Sequence, residues 1–174
     1  RRTTSTVTMN GTGGGNTLSG NITGTSSFHN LTFSGVSGSW SFGGNASTTG
    51  NFTNDNGTVT LPTLLTIGGD YTNNAVITAG SGEVKFTAVD TGNTLTGTMT
   101  GSSAFASTTF LGSGGSWTFV NNATTTGNIE FSTSTNVTGT SSLTIWRNWT
   151  NNGTFLHSSG TVIFASSSAS TTLR

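Results

Sequence analysis

The sequence predicts an all-β protein, specifically a right-handed parallel β-solenoid (β-helix). The chain repeats itself, since residues 38–42 read GSWSF and residues 115–119 read GSWTF, a shift of 77. Such self-similarity at a long fixed period is typical of repeat architectures. Apolar and polar residues alternate in short stretches, as expected for strands with one buried face. Clusters of Gly, Asn and Ser separate these stretches and favour tight turns.

The composition favours a folded structural chain. The 174 residues are enough for one domain. Charged residues make up 6 % of the chain, against about 25 % in a typical soluble domain. The apolar residues, 30 % of the chain, alternate regularly with polar ones, unlike those of a disordered linker. The zero net charge offers no basic surface for nucleic acid. No apolar run reaches the roughly 18 residues of a membrane span, and cysteine is absent, so neither membrane insertion nor a disulfide framework is expected.

Two long repeats, at about residues 18–94 and 95–172, are expected to form one solenoid domain over residues 1–174. A finer period lies inside them, since residues 50–54 (GNFTN) resemble residues 69–73 (GDYTN) after a shift of 19. Together these periods predict about nine coils of about 19 residues, four to each long repeat. At about 4.8 Å per coil the rod would be on the order of 40 Å long. A β-sandwich also has short strands, but it does not require this self-similarity.

Neither end of the sequence has the polar character of a solenoid cap. The first residues resemble the end of a preceding repeat, because Val7 and Met9 align with Val84 and Phe86. At the other end, residues 172–173 already begin the next repeat. We therefore expect a segment or subunit of a longer array, which associates end to end through terminal coils with unpaired strand edges. The zero net charge favours such association.

Four segments recur in a characteristic order: GDYTNN, GSGEVKF, NTLTG and FHNLTF, at residues 69–74, 80–86, 93–97 and 28–33. They resemble repeats of bacterial cell-surface proteins of the haemagglutinin or adhesin type, which are β-helix arrays. The second copy departs from the pattern at residues 108–110, where Asn-Leu is lost. The resemblance implies an extracellular or cell-surface location. It brings no catalytic residues and no cofactor with it.

Two acidic residues are the candidates for catalysis. Asp70 and Asp90 are about one coil apart, and two close carboxylates could act as acid and base on a glycoside. Both stand in turns near glycine, where Asp is favoured anyway, and neither recurs in the other copy. His29 and His157 are not equivalent in the repeat and lack partners for a metal site. The sequence therefore predicts a chain that is not an enzyme and holds no metal.

The aromatic residues Trp40, Trp117, Tyr71 and Trp149 recur at equivalent positions, and we expect them to pack in the core rather than stack on sugars. Residues 145–147 read IWR, so Trp146 or its neighbours should face outward. Trp146 and Arg147 are therefore the candidate binding residues, with cell-surface glycans among the partners considered. Several Thr-x-Thr motifs are typical of ice-binding surfaces, but their spacing is not one per coil, so no flat threonine array is expected.

Two functions stay open on the sequence. The rod could be the assembly unit of an extracellular bacterial fibre, or the stalk or ligand-binding segment of a large surface adhesin. A stalk and a fibre unit need the same stacked coils, so the sequence does not separate them.

Overall fold

The computed structural model describes residues 4–139 and 141–165 and confirms an all-β, parallel solenoid. Two short 3₁₀ turns, Gly24–Ser26 and Gly101–Ser103, interrupt the strands. The strands are β1 Thr6–Met9, β2 Asn16–Leu18, β3 Asn30–Phe33, β4 Ser39–Phe42, β5 Ala46–Thr48, β6 Phe52–Asn54, β7 Thr58–Thr60, β8 Leu64–Ile67, β9 Tyr71–Asn73, β10 Val76–Thr78, β11 Glu83–Phe86, β12 Asn93–Gly97, β13 Ser107–Phe110, β14 Ser116–Phe119, β15 Ala123–Thr125, β16 Ile129–Phe131, β17 Asn136–Gly139, β18 Leu143–Ile145, β19 Trp149–Asn151, β20 Thr154–Leu156 and β21 Val162–Phe164.

The strands stack into parallel sheets along the rod. The eight-stranded sheet has the order β1-β3-β6-β9-β12-β14-β17-β20, and the six-stranded sheet runs from β5 through β8, β11, β13 and β16 to β19. A four-stranded sheet (β2-β4-β7-β10) and a three-stranded sheet (β15-β18-β21) follow one another on the third face. Each turn of the chain visits the eight-stranded sheet, then the third face, then the six-stranded sheet. The cross-section therefore has three sides.

The strand register shows how long each turn is. Paired residues lie 24 positions apart at Thr6 and Asn30, 19 apart at Phe52 and Tyr71, and 18 apart at Asn136 and Thr154. The eight-stranded sheet corresponds to about eight turns, close to the nine predicted. Two of the longest turns contain the 3₁₀ turns, which a uniform short period does not anticipate. The right hand of the coil stays a prediction.

The two long repeats are rotated against each other around the rod axis. β4 lies in the four-stranded sheet, whereas β14, its equivalent in the second copy, lies in the eight-stranded sheet. Likewise β3 belongs to the eight-stranded sheet and its equivalent β13 to the six-stranded sheet. One repeat thus advances by three and two-thirds turns, one face short of the four expected. Equivalent residues of the two copies consequently point in different directions.

Aromatic side chains fill the axis of the rod. Phe33, Phe52 and Tyr71 stack on consecutive strands of the eight-stranded sheet, with ring centroids 5.8 and 6.1 Å apart. Phe86 and Phe110 continue the column in the six-stranded sheet, with ring centroids 4.8 Å apart. Such pairs stabilise a core beyond the apolar area they bury. The predicted packing role is confirmed for the four recurring aromatics: Tyr71 and Trp117 are buried, and Trp40 and Trp149 are partly buried against the core.

Asparagines hold successive turns together inside the fold. The side chain of Asn54 donates to Oδ1 of Asn73 at 3.0 Å, and the side chain of Asn73 donates to the carbonyl of Thr98 at 2.8 Å. Both asparagines are fully buried. Buried amides are tolerated where they are hydrogen-bonded in this way. The result is a polar ladder that fixes the vertical alignment of neighbouring coils.

Candidate functional site

The outer surface of the six-stranded sheet concentrates charge. Glu83, Lys85 and Glu130 stand on its strands, and Arg147 comes just before β19, so four of the chain's ten charged residues lie here. Alternation points these side chains outward because their neighbours Val84 and Phe86 point into the core. The register places Lys85, Thr109 and Glu130 in one line across β11, β13 and β16.

A polar groove runs over this sheet. It consists of two clefts of about 320 and 310 Å³, which share Ser81, Ser107 and Asn128 and are therefore continuous. Glu83 and Glu130 line the first cleft, and Arg147 lines the second. The groove reaches from Thr63, beside β8, to Arg147, beside β19. Four strand-to-strand steps of about 4.8 Å make it roughly 19 Å long.

The floor of the groove is held by hydrogen bonds between coils. The backbone N–H of Asn128 donates to Oγ of Ser107 at 3.2 Å. The backbone N–H of Asn148 in turn donates to Oδ1 of Asn128 at 3.3 Å. These side chains therefore follow the strand spacing along the rod. The floor is an ordered row of hydroxyl and amide groups.

The charged groups of the groove differ in their partners. Glu83 is held on both oxygens, because Lys85 Nζ lies 3.4 Å from Oε2 and the Thr109 hydroxyl donates to Oε1 at 2.5 Å. Glu130 accepts a long hydrogen bond, 3.5 Å, from the hydroxyl of Ser132. Within residues 4–139 and 141–165, neither Glu130 nor Arg147 forms an ion pair. The groove thus offers a carboxylate and a guanidinium that are available to a ligand.

Of the two sequence-predicted binding residues, the structure places Arg147 in the lining of this groove, whereas Trp146 precedes it in the chain and is not among the lining residues. Trp146 is 43 % exposed, and Arg147 is exposed as well. The backbone N–H of Trp146 donates to the carbonyl of Thr125, next to Thr126 in the groove lining. Sequence reasoning did not connect Glu130 with these residues. The sequence signal that identifies Glu130 is its position between the apolar residues Ile129 and Phe131, which places an acidic side chain on the outward side of a strand.

The two candidate catalytic carboxylates hold turns in place. Oδ1 of Asp70 accepts hydrogen bonds from the backbone N–H and the hydroxyl of Thr94, at 2.8 and 3.0 Å. Oδ2 of Asp70 accepts a bond from the side chain of Asn51 at 3.1 Å. Asp90 accepts a bond from the Asn93 side chain at 3.2 Å within its own turn. These contacts tie Asp70 to the coils on both sides of it.

Threonines line up on the eight-stranded sheet, although their sequence spacing gave no reason to expect it. The strand register compensates for unequal turn lengths and stacks them on five successive strands. The next outward line carries Asn51 and Asp70 beside this row, and it continues with three threonines, Thr94, Thr118 and Thr138, on β12, β14 and β17. The aligned residues are Thr8, Thr32, Thr53, Thr72 and Thr96.

The last described coil opens an apolar surface at the end of the rod. A cavity of about 490 Å³ there is lined by Trp149, Phe155, Val162 and Phe164, among others. These rings contact one another, with the centroids of Trp149 and Phe155 4.9 Å apart. Residues 166–174, which include the predicted match at residues 172–173, lie outside the described residues.

In the part of the chain that the structure describes, acidic and histidine side chains do not gather into a metal site. Among the described residues, no three His, Asp or Glu side chains lie close enough together to hold an ion. In the same part of the chain, no helix is long and apolar enough to cross a membrane.

No family model, no curated protein and no solved structure matches the chain.

Proposed function

We propose that the chain is a structural, non-enzymatic β-solenoid that stacks end to end into an extracellular fibre on a bacterial cell surface. The observation that carries this proposal is the apolar end of the last described coil. The apolar side chains at this end are partly exposed, whereas the side chains at the equivalent positions of the first repeat copy are buried inside the rod.

The internal repeat gives a direct comparison for this end. Phe164 is 42 % exposed, whereas its equivalent Phe86 is 0 % exposed. Trp149 is half-buried, whereas its equivalent Tyr71 is fully buried. β19, β20 and β21 correspond to β9, β10 and β11 in the first copy. The difference is that a further coil covers β9, β10 and β11, whereas β19, β20 and β21 lie in the last described coil.

The interior also shows which kind of coil fits on such an end. β9 pairs with β12, and β11 pairs with β13. In the repeat, β12 and β13 are the equivalents of β2 and β3, which belong to the first coils of the chain. A second copy whose β2 and β3 cover β19 and β21 would therefore repeat a junction already formed inside the rod. In that junction β21 of one copy would pair with β3 of the next copy. It would occupy the position beside β3 that β1, the repeat equivalent of β21, occupies within a single copy.

The energetics favour this junction. Covering a large apolar side chain contributes about 1.5–3 kcal/mol, and Trp149, Phe155 and Phe164 would be covered together. The open edges of β19 and β2 would gain hydrogen bonds, since open edges are templates for pairing, whereas β3 would exchange its pairing with β1 for pairing with β21. Little charge opposes the contact, because the net charge is zero.

The alternative is that the chain is a stalk or ligand-binding segment of a large surface adhesin. The groove over the six-stranded sheet favours this alternative, because a pure spacer has no need of one. In that case the exposed end is covered by further coils of a longer chain.

Negative-stain electron microscopy at rising protein concentration tests the proposal. We expect filaments much longer than a single rod of about 40 Å. Phe164→Lys should abolish them, because it places a charge in the axial apolar surface. Ile163→Lys is the matched control, since Ile163 is equally exposed, at 43 %, but belongs to the lateral line of Thr124 and Thr144. Isolated short rods of the unmodified protein at every concentration would refute fibre assembly.

A further inference from the structure

We propose that the polar groove over the six-stranded sheet is a binding site for a neutral polysaccharide chain. This function goes beyond assembly and does not depend on it, because the groove lies on the side of the rod rather than at its end.

Comparison of the two repeat copies distinguishes side chains that the fold requires from side chains of the groove that it does not require. A side chain needed to build the solenoid is needed in both copies, as the recurring aromatics show. The counterpart of Glu130 is Thr53, and those of Trp146 and Arg147 are Gly68 and Gly69. The fold therefore does not require a charge at position 130 or at position 147, and both charged residues line the groove.

The shape of the groove suits an extended chain. It is open along its length, and its two clefts together have the volume of a ligand site. Its length of roughly 19 Å spans several sugar rings rather than one small molecule. Its floor offers Ser81, Ser107 and Asn128 at successive strands. A polymer with a regular spacing of hydroxyl groups can follow such a row.

The chemistry of the lining matches hydroxyl groups. The carboxylate of Glu130 can accept from a sugar hydroxyl, and the guanidinium of Arg147 can donate to one, and charge-assisted bonds of this kind are about twice as strong as neutral ones. Serine and asparagine side chains both donate and accept, as hydroxyl groups require. Trp146, the neighbour of Arg147 in the chain, is 43 % exposed, and its indole can offer an apolar face to the C–H face of a sugar ring.

The charge balance selects a neutral ligand. Two carboxylates, Glu83 and Glu130, and two cations, Lys85 and Arg147, lie on this face, so their charges cancel. A polyanion would be repelled by Glu130 and a polycation by Arg147, so the attraction of either polymer to the opposite charge is offset. A neutral polysaccharide avoids both penalties and still uses each charged group as a hydrogen-bonding partner.

The test is binding of the full chain to an array of neutral, acidic and amino-sugar oligosaccharides of four or more units. Isothermal titration calorimetry with the tightest neutral oligosaccharide then compares variants. We expect Glu130→Gln and Arg147→Met each to weaken binding about tenfold or more, because each removes a charge-assisted bond. Asp55→Asn is the matched control, since it removes a carboxylate in the same isosteric way away from the groove.

Each outcome decides the proposal. Tenfold losses in both groove variants with unchanged binding of Asp55→Asn support it. It is overturned if no neutral oligosaccharide binds, if only acidic or amino-sugar ligands bind, or if the groove variants bind as the unmodified protein does. Repeating the titration with Phe164→Lys separates the two functions, since a rod that no longer assembles should still bind its glycan.

Discussion

Replacing Thr125 by valine should stabilise the protein, whereas the same change at Thr48 should destabilise it. The two threonines are equivalent in the repeat and almost equally buried, at 1 % and 2 % exposure. The Thr48 hydroxyl donates to the carbonyl of Gly50 at 2.9 Å. The Thr125 hydroxyl is buried without a hydrogen-bond partner among the described residues. The pair therefore compares the same buried side chain, at equivalent positions of the repeat, with and without a hydrogen bond.

The expected size follows from the cost of an unpartnered buried hydroxyl, about 1–3 kcal/mol. Valine has the same shape as threonine and is also β-branched, so packing and strand preference are retained. Thr125→Val should raise the free energy of unfolding by about 1 kcal/mol, since it removes a desolvated hydroxyl that gains nothing in return. Thr48→Val should lower it by about 1 kcal/mol, because the Gly50 carbonyl loses its donor.

Urea unfolding monitored by circular dichroism measures both effects. The midpoint should move up for Thr125→Val and down for Thr48→Val, and the double variant should lie near the sum of the two. A shift of both single variants in the same direction would refute the reasoning, because hydrogen bonding would then not distinguish the sites. An unchanged denaturant slope shows that the change is one of stability rather than of compactness.

Three further outcomes are expected. Burial raises the pKa of Tyr71 far above its ordinary value near 10, so the contribution of Tyr71 to stability should be constant below pH 10 and fall above it, and tyrosinate absorbance should appear only on unfolding. Asn73→Ala breaks the buried ladder and should lower the free energy of unfolding by about 2–3 kcal/mol in urea titrations. Gly112→Ala should lower the melting temperature, because its Cβ would overlap the Ala88 carbonyl of the preceding coil, whereas Gly44→Ala, with open space around it, should leave it unchanged.

Local alternation determined the strands and their inward faces. The prediction that Tyr71 and Trp117 pack in the core needs only the period of two, because successive side chains of a strand point to opposite sides. The repeat added that strands must stack as coils, since such short strands cannot bury their apolar faces alone. Both properties depend on neighbours in the sequence, so the sequence by itself determined them.

The tertiary structure decided which residues of different coils share a face. Turns differ in length along the chain, and strand pairing absorbs the difference, so one long repeat ends one face short of a whole number of turns. Trp40 and its equivalent Trp117 consequently lie in different sheets, and Glu130 and Arg147 line the two clefts of one groove. Alignment along the rod comes from hydrogen bonds and packing between coils. This alignment depends on contacts between residues far apart in the chain. A local sequence pattern does not contain the summed length of the turns between those residues.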